Sequence, residues 1–343
     1  MEGDLVWSPT IGWSLGATIA VVAQAGQQHA VDLSEAFLSY RGDPIGRLRL
    51  SGRLGLFWPP VSMEHSGPEW AVTDTITPSA LNSWIGEEVK TAATEASAAL
   101  NFGGGRHLTG TLAVFGLNDT SGTLLAFRGW ALHDEKATAF GRQPLPPLNG
   151  FMTAAQASFT SPVVELDDRP GYYARLGWSS PEFTLHAFHY DNRGDPQAVD
   201  AARQWGWHTR FDEIGASLTH GATTLKAQAL VGRTEMGFHR AGQIWVDTHF
   251  RAAYALLIQH VAWGSVSGRI DAFDTDGRGS VLGAAESERG WAGTLALRRP
   301  IGVHLTVLGE ALHVESRRDV QMRIGLDPAQ AQTIVQVAVR LHS

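Results

Sequence analysis

Three arginines lie close together near the start of the chain, at Arg47, Arg49 and Arg53. If this segment is a β-strand, all three point to one face, since alternate residues of a strand lie on the same side. Like charges on one face repel one another unless an anion lies opposite them. At ~3.3 Å per residue the row spans roughly 20 Å, a spacing suited to passing an anion between weak sites.

Five more basic residues occupy the polar faces of other alternating segments: Lys226, Arg251, Arg269, Arg298 and Arg340. Acidic residues on these faces are fewer, namely Asp247 and Asp271, with Glu95 as a further candidate, although the net charge of the chain is −7. The remaining acids lie mostly between the alternating segments. Two interpretations stay open: the basic residues attract anions to a channel wall, or they pair with carboxylates and brace that wall.

Other chemistry finds less support in the residue pattern. His186 and His189 are three apart, so on a strand they point to opposite faces and share no metal. The stretch from Asp274 to Gly279 resembles part of a calcium loop, but Arg278 stands at a ligand position and Ala285 replaces the closing glutamate. Cysteine is absent, which removes thiolate chemistry. We therefore expect no metal, no cofactor and no enzymatic activity.

The elements that carry these residues are predicted to be long β-strands. From Gln332 to His342, Thr333, Val335, Val337, Val339 and Leu341 share one face, and Gln332, Gln336, Arg340 and His342 share the other. The same period of two recurs along the chain, in runs of roughly 10–15 residues where strands of soluble proteins cluster near 5–6. Such runs favour a transmembrane β-barrel over a soluble β-sandwich.

The connections between the runs alternate between short turns and longer polar segments. This arrangement predicts an all-β, antiparallel up-and-down barrel with short periplasmic turns and long extracellular loops, forming a single domain over 1–343. Fourteen strands are evident, and two more around 123–131 and 154–165 would make about 16. The segments 58–87 and 118–170 are expected to be long loops, and two arrangements stay open: they fold into the lumen and constrict the pore, or they cover its rim from outside. A short helix is predicted over Pro78–Val89, with Thr77 as its N-cap.

Composition limits the alternatives. Hydrophobic residues make up 43% of the chain, and no run approaches the ~20 apolar residues of a membrane helix. The acidic net charge argues against a nucleic-acid partner. Twelve tryptophans, several near the ends of the predicted strands, fit the boundary between lipid and water. Met1–Asp4 is not a secretory signal, so we expect a leader that has been removed.

One segment is similar to a known family. The stretch from Gly55 to Glu64, which follows the basic strand, resembles the strand-to-loop junction of the phosphate-selective porin O/P family of Gram-negative bacteria. This resemblance implies a 16-stranded, trimeric porin that passes small anions. Trp58 stands where the family usually has a basic residue, and the chain ends in Leu341-His342-Ser343 where barrels commonly end in an aromatic residue.

The predicted function is passive diffusion of small anionic or polar solutes through a basic lumen in the bacterial outer membrane. Expected partners are outer-membrane lipid, lipopolysaccharide and two further copies of the chain in a homotrimer. One alternative is a non-conducting structural barrel whose lumen is plugged by 118–170. An outer-membrane hydrolase is the remaining alternative, although no serine lies in a nucleophile-elbow context.

Overall fold

The computed structural model describes residues 2–24, 27–65 and 69–341. Strands dominate it. The first nine strands are β1 (Glu2–Trp7), β2 (Thr10–Ile11), β3 (Leu15–Gln24), β4 (Asp32–Arg41), β5 (Leu48–Phe57), β6 (Thr91–Gly103), β7 (Arg106–Gly116), β8 (Gln143–Pro144) and β9 (Phe159–Thr160). The other nine are β10 (Gly171–Ser179), β11 (Phe183–Asp191), β12 (His208–His220), β13 (Thr223–Arg240), β14 (Gln243–Val261), β15 (Gly264–Gly277), β16 (Glu288–Ile301), β17 (Leu305–Arg318) and β18 (Ala329–Leu341).

Sixteen of these strands form one antiparallel sheet in chain order, and only β8 and β9 pair apart from it. The predicted all-β up-and-down barrel architecture and the number 16 are therefore confirmed. The two barrel strands expected inside 118–170 are wrong, however. That segment holds the helices α2 (Thr123–Arg128) and α3 (Gly150–Ala155), and its two-residue strands β8 and β9 pair only with each other. The count is instead completed at the start of the chain, where β1 and the two-residue β2 both pair with β3.

Short connections gather at one end of the barrel, which we call the turn end, and most long ones gather at the other, the loop end. The turn end holds 104–105, 221–222 and 262–263, for example, and the loop end holds 58–90 and 117–170. The exception is the hairpin between β13 and β14, of 18 and 19 residues, which extends past its neighbours at the loop end and turns over Ala241 and Gly242.

β1 and β18 are the two ends of the sheet order. No strand register joins them within the described ranges 2–24, 27–65 and 69–341. Both strands run from the loop end to the turn end, so direct pairing between them would be parallel. On β18 the outward-facing Val335, Val337 and Leu341 are 72–81% exposed, as expected for an apolar surface turned toward lipid.

Alternate burial along the strands separates an outward face from a lumenal face. Leu225, Ala227, Ala229 and Val231 point outward on β13, while Lys226 and Gln228 point into the lumen, as predicted. On β14 the assignment from the sequence is reversed. Phe250, Tyr254 and Ile258 are buried in the lumen, and the predicted lumenal residues face outward, namely Asp247, His249, Arg251 and Gln259. An apolar lumenal face exists here because the lumen is filled with protein.

Much of two segments folds into the lumen, 58–90 in its described parts 58–65 and 69–90, and 117–170, and together we call these segments the plug. The helix α1 (Ala80–Glu88) is buried along its whole length, and Trp84 packs edge-on against Phe211 and Phe250 of the wall. The predicted helix is confirmed, but its N-cap is Ser79, whose hydroxyl accepts the Asn82 N–H. None of the helices in the described ranges is long and apolar enough to cross a membrane.

Candidate functional site: the lumen and its plug

A buried arginine of the wall holds the first plug segment. Arg269 on β15 forms ion pairs with Glu64 at 2.9 Å and with Asp271 at 2.8 Å. Its remaining N–H groups donate to the carbonyls of Thr77, at 2.7 Å, and Pro78, at 2.9 Å. Every lumenal charge here has a partner, which is the condition under which a buried ion is tolerated.

The last two strands bind the same turn of the plug. The Glu310 carboxylate on β17 accepts the backbone N–H of Ile76, at 2.6 Å, and of Thr77. The Gln336 side chain on β18 donates to the Thr77 hydroxyl at 2.6 Å, and Arg340 donates to the Val72 carbonyl at 2.6 Å. The backbone N–H and C=O groups of this turn have no partner in a neighbouring strand. Side chains of β17 and β18 form the hydrogen bonds that these groups need.

The strands β11 and β13 also bind the first plug segment, through a side-chain amide and a histidine. Gln228 on β13 accepts the Met63 N–H at 2.8 Å and donates to the Val61 carbonyl at 2.9 Å. His186 on β11 hydrogen-bonds through Nε2 to the same Val61 carbonyl and to the Glu213 carboxylate, at 3.1 and 2.9 Å. The first plug segment is therefore bonded to strands from β11 to β18.

Two adjacent glutamates at the end of α1 join the two plug segments. Glu87 pairs with Arg128 of α2 and with His133. Burial would raise the pKa of Glu87, but Arg128 and His133 outweigh burial and lower it to about 2. Glu88 accepts the N–H groups of Leu124 and Leu125, and burial raises its pKa to about 7 despite these bonds. One carboxylate stays charged at neutral pH, and its neighbour titrates there.

Lys90 is buried where the first plug segment returns to the wall. Its ammonium donates to the carbonyls of Ser34 and Ala137 and lies 3.4 Å from the centre of the Trp58 ring. Burial lowers the pKa of Lys90 to about 7, although Glu35 and Glu69 oppose this shift. Burial also raises the pKa of Glu69 to about 8. These groups lie together where the plug meets β4.

Most of the predicted lumenal basic residues do face the lumen, and most of them are paired. Arg53 forms a two-bond ion pair with Glu95, both bonds at 2.8 Å, and stacks on Phe57. Lys226 pairs with Asp74 of the plug at 3.0 Å. With Arg269 and Arg340 these residues brace the wall and the plug, which is the second of the two interpretations the sequence left open.

The prediction that Arg251 lines the pore is wrong. Arg251 lies on the outward face of β14, 66% of its side chain is exposed, and it pairs with Asp274 on the neighbouring strand. Arg251 lies nearer to the loop end than Ala253, Ala255 and Leu257, the outward apolar residues of the same strand. The period of two on β14 is as predicted, but the lumenal and outward faces are exchanged, because the apolar face packs against the plug and not against lipid.

A second group of basic residues lies near the turn end, where the lumenal side chains are only half-buried. Arg49, Arg175, Lys226 and Arg298 point inward there from β5, β10, β13 and β16, and we call this space the turn-side vestibule. Arg49, Arg175 and Arg298 form no ion pair with a carboxylate of any described residue. The Nε atoms of Arg49 and Arg175 are buried without a hydrogen-bond partner. Arg47 is exposed and precedes β5 at the turn.

Arg175 is the lumenal residue that the sequence prediction missed. It shares the inward face of β10 with Tyr173, and its terminal nitrogen lies 3.0 Å from Nδ1 of His186. The signal was present in the sequence, since Tyr173 and Arg175 alternate with Leu176 and Trp178. His186 and His189 lie on opposite faces of β11, as predicted.

Two groups of residues have the ligand types of a metal site. Glu87, His133 and Glu135 form the first, but both Glu87 oxygens already accept bonds from Arg128. Asp119, Glu165 and Asp167 form the second, and they accept backbone N–H groups from Leu166, Leu117 and Asp195, respectively. Arg128 thus occupies Glu87 in the first group, and each carboxylate of the second group accepts one backbone N–H, although Oε1 of Glu165 is buried without a partner.

A serine and a histidine also lie in contact within the plug. The Ser62 hydroxyl and Nδ1 of His65 are 2.6 Å apart, but the same hydroxyl accepts the backbone N–H of Glu64. Nε2 of His65 is buried without a partner, so no carboxylate orients the ring. This is a turn motif and lacks the third member of a catalytic triad.

Solved structures with a similar fold are outer-membrane barrels. The outer membrane channel DcaP of Acinetobacter baumannii matches with a TM-score of 0.57 and 8% identity, over 100% of this chain and 85% of that chain. The loop-L8 deletion mutant of OmpT, an outer membrane protein of Vibrio cholerae, matches with a TM-score of 0.55 and 9% identity, over 98% and 90%. OmpF of Salmonella typhi, in complex with daunomycin, gives 0.50 and 9%, over 98% and 89%.

No protein-family model matches the sequence, and no curated protein is similar to it in sequence. The structural likenesses, all below 10% identity, show the fold. The chain therefore has the fold of an outer-membrane β-barrel channel.

Proposed function

We propose that the protein is an outer-membrane channel through which small anionic or polar solutes diffuse passively. The observation that carries this proposal is the group of inward-facing arginines in the turn-side vestibule, Arg49, Arg175 and Arg298, which form no ion pair with a carboxylate of the described residues. Unpaired charge of one sign on a low-dielectric wall focuses its field on passing ions. The fold shared with outer-membrane channels supports this proposal.

The distribution of lumenal carboxylates supports an anionic solute. Glu64, Asp271 and Glu310 lie at the level of the plug, and each is occupied by Arg269 or by backbone N–H groups. Asp74 neutralises Lys226 alone. These carboxylates therefore hold the plug, and the arginines of the turn-side vestibule face the solute.

Location and assembly form part of the same proposal. The similar solved structures are outer-membrane proteins, which supports this location, with the outward apolar face against lipid and lipopolysaccharide. OmpT of Vibrio cholerae in its trimer form matches with a TM-score of 0.51, which supports a homotrimer. Membership of the phosphate-selective porin family rests on the junction from Gly55 to Glu64, so the solute class is proposed as small anions in general.

The test is a single-channel recording of the folded barrel in a planar bilayer. We expect discrete conductance steps and, in a salt gradient, a reversal potential that shows anion preference at low salt. A parent channel that prefers cations would contradict the anionic part of the proposal. Folding is checked independently by the shift in mobility between unheated and heated samples on a gel.

A second candidate is a non-conducting barrel that serves as a structural element of the membrane. The observation that favours it is the plug, since α1 is buried along its whole length and the segment that carries it is bonded to the wall strands β4, β13 and β15. A folded protein without conductance steps would support this candidate. Steps that appear only in variants with a loosened plug would show a channel held closed.

A further inference from the structure

A cavity of about 370 Å³ lies at the loop end, between the plug and the loops that precede β16 and β18. Its volume falls in the range of sites for small molecules, ~300–1,000 Å³. Phe127, Pro146, Pro147, Leu148 and Leu282 give it an apolar wall. It lies at the opposite end of the barrel from the turn-side vestibule.

One side of this cavity is strongly basic. Arg128, Arg318 and Arg323 line it together with a single carboxylate, Glu286, which pairs with Arg323. Both terminal nitrogens of Arg128 donate hydrogen bonds to Glu87, and its Nε is buried without a partner.

Arg318 is the arginine of this cavity that forms no ion pair among the described residues, although the carboxylates of Glu286 and Glu288 lie near enough to act on its charge. It is 4% exposed and donates to two backbone carbonyls, Ala126 at 3.0 Å and Glu286 at 3.2 Å. It faces Glu288 across the strands, but no carboxylate of the described residues lies within ion-pair distance of it. The Glu288 carboxylate accepts the Trp130 N–H at 2.8 Å. A buried guanidinium bonded only to carbonyls favours an added anion.

We propose that this cavity binds a small organic carboxylate with an apolar body. The carboxylate accepts bonds from Arg318 and from Nε of Arg128, and the apolar body lies against Pro146, Pro147 and Leu148. A neutral molecule of the same shape fills the apolar part but leaves the arginines without a counter-charge. The proposal refines the solute class of the proposed channel and places a binding site at its outer mouth.

The experiment measures equilibrium binding of benzoate, and of benzyl alcohol as its neutral match, to the folded barrel by ligand-observed NMR. We expect benzoate to bind about tenfold more tightly, the difference that one charge-assisted interaction gives. Gly150→Leu should weaken benzoate binding by about tenfold or more, because Gly150 lines the cavity and an added Cβ there meets no atom within 4 Å, which leaves room for the larger side chain to enter it. Arg318→Gln should remove the preference for benzoate.

The matched control is Gly268→Leu, on the outward face of β15, where an added Cβ likewise meets no atom within 4 Å. Its benzoate affinity should equal that of the parent. Equal affinity for the two probes, or benzoate binding unchanged by Gly150→Leu, would overturn the proposal even if Arg318→Gln does not fold. Benzoate binding without conductance would support the carboxylate site and contradict the channel. Conductance without benzoate binding would support the channel and contradict the carboxylate site.

Discussion

Glu87 and Arg128 join the two segments of the plug through two parallel N–H···O bonds of 2.7 and 2.5 Å. Glu87 lies on α1 and is 1% exposed, while Arg128 ends α2 and is 28% exposed. Displacing one segment without the other would leave a buried charge unpaired. The two segments therefore behave as one body, although 40 residues of chain separate Glu87 from Arg128.

Glu87→Gln should loosen the plug. The change removes one charge of a buried pair and leaves Arg128 uncompensated, which costs about 2–4 kcal/mol after allowance for the partial exposure of Arg128. We expect a lower denaturant midpoint and a larger or more frequent conductance step. The control is Asp274→Asn, which breaks the exposed Arg251 pair on the outer surface and should leave both measurements unchanged. Equal effects of the two variants would show that the pair does not hold the plug.

Stability of the plug should fall as pH rises from about 5 to about 8, with Glu88 as a main cause. Burial raises the pKa of Glu88 to about 7 in the folded protein, above its value of about 4.3 in the unfolded chain. The folded state therefore binds this proton more tightly, and the stabilisation is complete below pH ~4.3 and lost as pH passes 7.

The measurement is the denaturant midpoint against pH for the parent and for Glu88→Gln. The variant should show a flatter profile over this window. Glu69, whose pKa is raised to about 8, acts in the same direction, and Lys90, whose pKa is lowered to about 7, acts in the opposite one. The difference between parent and variant isolates Glu88. Parallel profiles would exclude it as the titrating group.

Neutralising the vestibule should change ion selectivity without unfolding the barrel. Arg49→Gln, Arg175→Gln and Arg298→Gln together remove three inward charges that form no ion pair with a carboxylate of the described residues. We expect the reversal potential in a salt gradient to shift toward cations, more at low salt than at high salt, since screening shortens the reach of the charges. Arg251→Gln is the matched control, because this arginine faces outward. An unchanged potential in the triple variant would contradict a selective vestibule.

The inside and outside assignment can be tested on β7 alone. Leu112 is 67% exposed on the outward face, and Thr109 is half-buried on the lumenal face. Leu112→Arg places a charge in lipid at a cost of ~2–4 kcal/mol near the membrane centre and should block assembly. Thr109→Arg places it in the water-filled vestibule and should be tolerated. Folded-band mobility on unheated gels distinguishes the two, and equal assembly of both variants would refute the assignment.

The sequence predicted the architecture because period-two alternation repeats in nearly every strand, and the summed signal outweighs the ambiguity of each. It could not predict the contents of 117–170. The run from Thr123 to Arg128 is apolar, short and buried, and such a run fits a strand or a helix equally well by periodicity. The Glu88 carboxylate, 36 residues earlier, accepts the first helical N–H groups and thereby favours the helix.

The functional residues were predicted only in part for a related reason. Alternation identifies two faces but does not say which one meets lipid, and an apolar face packed against a plug looks like a lipid-facing one. Arg251 was misplaced in this way. A guanidinium's partner is also invisible in sequence: Arg53 and Arg269 differ from Arg49 only in having carboxylates within reach.

The plug also constrains the order in which the molecule is assembled. The contacts of Glu64 with Arg269, Ile76 with Glu310, and Val72 with Arg340 span 205, 234 and 268 residues of chain. Contacts between such distant segments form late and slowly. Because both plug segments precede β10–β18 in the chain, we expect these last strands to close around a plug that already lies against β1–β7. The pairing of β17 with β18 thus adds the last strands of the barrel and, through Glu310 and Arg340, also binds the plug.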